Sequence, residues 1–103
     1  MIIMGEVYVK VRKTENDILI TVCDCDILGK KVVDGKLVLN VSKEFYEGEK
    51  MNKEATLDIL KKATIALFVG KTAVEYGIEA GLIHRDAIIE IGGIPHAQFV
   101  MII

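Results

Sequence analysis

Between Asn52 and Gly81 the chain carries apolar and small residues at helical spacing: Ile59, Leu60, Ala63, Ala66, Leu67, Gly70, Ala73, Val74, Gly77, Ile78 and Gly81. A single helix of that length spans roughly 40 Å at 1.5 Å per residue, too long for a small domain. The pattern therefore predicts two helices with a break near Gly70. The middle, "ATIALFVG", is apolar on every side and belongs at the centre of the core. Asn52 is placed to cap the first helix, with Glu54 in its first turn. Gly81 is placed to stop the second.

Strands flank this helical region. In "EVYVKVR", Val7, Val9 and Val11 alternate with Tyr8, Lys10 and Arg12, so the valines are expected in the core and the other three outward. "KTEND" reads as a turn and "ILITVC" as the returning strand. "CDILGK" predicts one helical turn ending at Gly29, and Ser42 is expected to cap another over "KEFY". Asp34-Gly35 reads as a two-residue hairpin turn between "KVV" and "KLVLNV". After the helices come a strand "AIIEI", a turn "GGIPHA" and a last strand "QFVMII". This order predicts one α+β domain over residues 1–103, a mainly antiparallel sheet with two helices packed on one face.

Hydrophobic residues make up 51% and charged residues 27%, which places the chain among folded rather than disordered proteins. A net charge of −2 gives no general attraction to phosphate backbones, so a nucleic-acid role requires a local basic patch. No apolar run approaches the roughly 18 residues of a membrane span, and "MIIMGEVYVKV" lacks the charged start of a signal peptide. A cytoplasmic protein is expected. Scarce Asn and Gln beside abundant Ile, Lys and Glu suggest a thermophile.

The chemical inventory is thin. "VGKT" resembles the end of a phosphate-binding loop, but Ile65 stands where that motif needs glycine. In "CDCD" a straight strand turns Cys23 and Cys25 to one face and Asp24 and Asp26 to the other, so four ligands do not converge. No metal or cofactor is expected. The cysteines read as small buried hydrophobes. Ser42, the sole serine, reads as a cap rather than a nucleophile.

Two surfaces stand out. Tyr8, Lys10 and Arg12 share one strand face, an aromatic with two cations, the composition of a small single-strand RNA platform or of a charged edge that discourages aggregation. "IGGIPHAQF" holds the only proline and the only glutamine. Gly92, Gly93 and Pro95 shape a stiff turn there. His96 and Gln98 are not needed by a turn, and they either lock it or read a partner.

"CDILGK" with "DGKLVLNVSKEFYEGE", then "ATIALFVGKTAVEYGIEAGLI", then "IIEIGGIPHAQ" together resemble the archaeal domain-of-unknown-function family 424, from about residue 7 to the end. The resemblance implies an archaeal cytoplasmic protein from a family without an established activity. For so small an archaeal protein, an association with translation is a separate expectation. The resulting expectation is a non-enzymatic binding module for RNA or a translation component. Its contact residues would be Tyr8, Lys10, Arg12, Phe45, Tyr46, Gly92, Gly93, Pro95, His96 and Gln98. The alternative is a small-molecule site or enzyme centred on His96 and Gln98, with Asp24 or Asp26 as partners. A third expectation is a homo-oligomer paired through the apolar C-terminal strand.

Overall fold

The structure, a computed structural model, describes residues 5–102. Its elements run β1 (Val7–Lys13), β2 (Ile18–Asp24), β3 (Lys31–Asp34), β4 (Leu37–Asn40), α1 (Lys43–Tyr46), β5 (Glu49–Met51), α2 (Lys53–Leu60), β6 (Ile65–Val69), α3 (Lys71–Glu79), β7 (Ile89–Ile91) and β8 (Ile94–Val100). Six strands form one sheet in the order β5-β1-β2-β6-β8-β7, and β3 with β4 forms a separate hairpin. Among the described residues only β2 and β6 pair in parallel, so the fold is α+β with a mainly antiparallel sheet.

Strand alternation divides the core in two. Val7, Val9, Ile20, Val22, Ala66, Phe68 and Ala97 face α2 and α3, where Leu60, Ala73, Val74 and Tyr76 close over them. On the opposite side Cys23, Val69 and Ile91 are covered by Leu39 and Val41 of the hairpin segment and by Tyr46 of α1. The two longer helices share one face, and the hairpin with α1 partly covers the other.

The expected helical stripe is the main correction. Residues 65–69, "IALFV", form the central strand β6 rather than helix. A short run that is apolar on all sides fits either period, and the environment decides: a strand with a parallel neighbour, covered on both faces, needs no polar side. Two further boundaries move. The turn of the β3–β4 hairpin is Gly35-Lys36, one residue later than expected, because Asp34 pairs with Leu37 and only Gly35 takes positive φ (62°). That is the type II′ pattern. The "GGIPHA" turn shrinks to Gly92-Gly93, both at positive φ, while Pro95 and His96 lie inside β8. β5 is an added edge strand from "EKM". Ile103, the last residue of the expected final strand, lies outside the described residues.

Several local signals do act as the sequence suggests. Asn52 Oδ1 accepts from the Ala55 amide at 2.9 Å, and Ser42 Oγ from the Phe45 amide at 3.3 Å. Gly29 and Gly81 take positive φ where a helical turn ends. Gly70 does so where β6 turns into α3.

The α3 N-terminus has no local side-chain cap. Asp24, at the end of β2, supplies one through space: its carboxylate accepts from the Ala73 amide at 2.7 Å and the Thr72 amide at 3.1 Å. Gly70 permits this because a Cβ there would collide with the Asp24 carboxyl group. Asp24→Ala leaves both amides without their acceptor and is expected to cost about 1–3 kcal/mol. Asp24→Asn keeps an acceptor oxygen and is expected to cost less. Urea unfolding of the two variants checks the order.

Candidate binding face

The face of the sheet away from α2 and α3 carries most of the residues singled out in the sequence. Tyr8, Lys10 and Arg12 point to it from β1, but they are not an open platform, because α1 sits over them. Lys10 Nζ donates to the Glu44 carbonyl at 2.7 Å, and Arg12 Nη2 donates to the Phe45 carbonyl at 2.8 Å. These are carbonyls at the end of α1 that the single turn leaves without helical partners. The Arg12 guanidinium also lies 4.3 Å from the centre of the Phe45 ring, and that ring meets Tyr46 edge-on at 4.9 Å. Lys50 Nζ sits 5.6 Å from the centre of the Tyr8 ring. Tyr8, Lys10, Arg12, Phe45 and Tyr46 therefore form one cluster. Lys50 joins it through β5, a strand too short to leave a clear alternation in the sequence.

His96 and Gln98 occupy the same face further across. One row of paired residues reads Tyr8, Cys23, Val69, His96, Ile89, and the next reads Lys10, Thr21, Leu67, Gln98. Three strand spacings, about 14 Å, separate Tyr8 from His96 and Lys10 from Gln98. Pro95 alternates to the helix side. Gly92 and Gly93 lie at the tip of the β7–β8 hairpin, where the Gly92 amide donates to Asp34 Oδ2 at 2.9 Å. A Cβ on Gly92 would strike Val32, so this glycine is set by close approach as well as by φ. His96 is half-buried, and burial lowers its pKa below the ordinary 6.5.

The alternative site at His96 gains neither expected partner: among the described residues no hydrogen bond or ion pair joins it to Asp24 or to the exposed Asp26. Asp24 is turned to the helix side, where it holds α3. Burial raises the Asp24 pKa, and the Ala73 and Thr72 amides offset part of the rise. The same contacts explain "VGKT": one glycine joins β6 to α3, and the amides that a phosphate-binding loop would offer are already bonded to a carboxylate.

Two buried polar atoms on this face were not evident in the sequence. Thr21 Oγ1 and Arg12 Nη1 have no hydrogen-bond partner among the described residues. Charge is also distributed unevenly. The ion pairs Lys53–Glu79, Lys61–Asp58 and Arg85–Glu75 all involve α2, α3 or the loop after α3. Lys10, Arg12, Lys43 and Lys50 have no ion-pair partner among the described residues. The helix side has a cleft of about 410 Å³ lined by Leu57, Leu60, Lys61, Glu79, Leu82 and Met101, across the sheet from the cluster around α1.

A small α+β protein with a covered sheet and a cation-rich face is the class these features define. The sequence matches the model of the family described as "Protein of unknown function (DUF424)" over residues 11–102, and the chain belongs to that family. Its fold is similar to the crystal structure of an uncharacterized conserved protein from Methanopyrus kandleri. The two are 25% identical with a TM-score of 0.78, over 91% of this chain and 90% of that one. No curated protein matches the chain.

Two titrations test this description. The His96 resonance is expected to titrate below 6.5 in an NMR pH series. Because the unfolded chain then takes up its proton first, His96 contributes stability above about pH 6.5 that is lost on acidification. His96→Gln is expected to flatten that loss in urea unfolding followed against pH. The thiols provide the second test. Burial, reinforced by Asp24, pushes the Cys23 thiol up to about 12, and Cys25 is raised mainly by its own partial burial. A thiol reagent at pH 8 is expected to leave Cys23 unmodified until the protein unfolds.

Proposed function

We propose that the protein is a non-enzymatic binding module that takes single-stranded RNA, including RNA of the translation apparatus, on the face around α1. The observation that carries this reading is the grouping of Lys10, Arg12 and Lys50 with the Tyr8 and Phe45 rings, with no carboxylate ion-paired to these cations among the described residues. Cations neutralise phosphates and supply most of the affinity for a strand, and aromatic and guanidinium planes accept bases without regard to sequence. Tyr8 and Phe45 provide the rings, and both remain partly exposed. Gln98, exposed on the same face, adds a donor and an acceptor beyond the cationic cluster.

The test is binding of a labelled pyrimidine-rich single strand, followed by fluorescence anisotropy over a salt series. Lys10→Ala with Lys50→Ala is the informative double variant, since the Lys10 contact to α1 is exposed whereas that of Arg12 is partly buried and Arg12 also packs on the Phe45 ring. Wild-type affinity is expected to fall with salt, and two lost phosphate contacts reduce the slope of log K against log salt by about 1.4. Unchanged affinity and slope in the double variant would overturn the reading. Co-sedimentation of the native protein with ribosomal particles at low salt, lost at high salt, is the expected result for the translation association.

A further inference from the structure

β8 extends beyond its outer neighbour. β7 pairs with it only through Ile91, Glu90 and Ile89, opposite Ile94, Pro95 and His96. From Ala97 onward β8 has β6 on one side and, among the described residues, no strand on the other. Bonds at its two ends fix the direction of its backbone. The Pro95 carbonyl accepts from the Gly70 amide at 2.9 Å, and the Met101 amide donates to the Thr64 carbonyl at 2.8 Å. In an antiparallel ladder each residue turns its N–H and C=O to one neighbour, and the next residue turns to the other. The odd-numbered residues therefore address β6, while Gln98 and Val100 address the open side. Neither has a backbone partner there among the described residues.

An open edge invites another strand, and monomeric proteins blunt theirs with charge or proline. The open stretch of β1 does so: beyond Val9 it carries Lys10, Arg12 and Lys13. Residues 97–102 carry no charge and no proline. Val100 is 54% exposed and Ile102 91% exposed beside the unpaired groups.

We propose that this edge is a dimer contact, in which the C-terminal half of β8 pairs antiparallel with the same segment of a second copy. A second copy fits because the need is mutual: each chain presents Gln98 and Val100 outward with no charge to repel the other. A two-fold axis at Phe99 sets Gln98 against Val100 of the partner subunit, and Val100 against Gln98 of the partner subunit. Both pairs exchange N–H···O=C bonds, and the two sheets become one. A strand offered from the β1 edge would instead bring Lys10, Arg12 and Lys13 against apolar side chains. The contact uses the backbone of Gln98 and leaves the cations and rings around α1 uncovered, so it does not depend on the RNA reading.

Sedimentation equilibrium and amide hydrogen exchange over a dilution series test the contact. The expected mass is twice the 11.4 kDa of one chain, falling to one chain on dilution. The Gln98 and Val100 amides are expected to exchange slowly in the dimer and fast in the monomer, with Ala97 and Phe99 protected in both. Val100→Lys and Gln98→Pro are each expected to give monomers with unchanged circular dichroism. The proline removes only an outward-facing N–H and breaks no bond within the chain. A wild-type protein that is monomeric throughout would overturn the proposal. So would a dimer in which the Gln98 and Val100 amides exchange freely, since its contact then lies elsewhere.

Discussion

The parallel pair β2–β6 is held at both ends by side chains, and the remaining architecture is arranged around it. At its start, the Ile18 amide donates to Thr64 Oγ1 at 2.9 Å, and the Thr64 hydroxyl lies 2.9 Å from Asp17 Oδ1. At its end, Asp24 takes two amides of α3. The second clamp links three levels of organisation. A carboxylate on one strand satisfies the start of a helix that follows the neighbouring strand, and the glycine between them leaves room for it. With α3 fixed in this way, Ala73, Val74 and Tyr76 close over the sheet. The Tyr76 hydroxyl then reaches the Gly5 carbonyl at 2.6 Å, ahead of β1.

Much of this fold was legible because its signals are local. Alternation marked β1, the turn "KTEND" with the apolar run after it marked β2, and Ser42, Asn52, Gly29, Gly70 and Gly81 marked ends that the structure also uses. The misreading at residues 65–69 has a definite cause. Periodicity shows which side of an element is dry, and a segment dry on every side carries no such information. The small residues Ala66, Gly70, Ala73 and Gly77 happened to extend helical spacing across a strand and a turn. The Asp24 clamp was hidden for another reason. It joins residues 48 and 49 positions apart, so no window along the chain contains both partners.

The candidate site shows the same division. The sequence separated a strand face from a glycine-proline loop, and the structure sets most of their side chains on one surface. It also gives Lys10 and Arg12 a task that composition could not reveal, since cations that hold the end of a one-turn helix are in part structural. His96 and Asp24 looked like partners from their residue types, yet strand parity puts them on opposite sides of the sheet. That parity becomes readable only once the strand boundaries are known.

The parallel pairing also has a kinetic side. Leu19 matches Ile65 across β2 and β6, so the central ladder closes only after the intervening 45 residues have been brought round. Those residues contain the β3–β4 hairpin, α1, β5 and α2. Loop-closure entropy rises with the logarithm of that length, and chains dominated by such distant pairings reach the native state more slowly than those built from neighbours. The β1–β2 and β7–β8 hairpins join neighbouring segments and need no such long closure. The sheet that joins them waits on its middle, and until then residues 97–102 remain an apolar strand with neither edge covered.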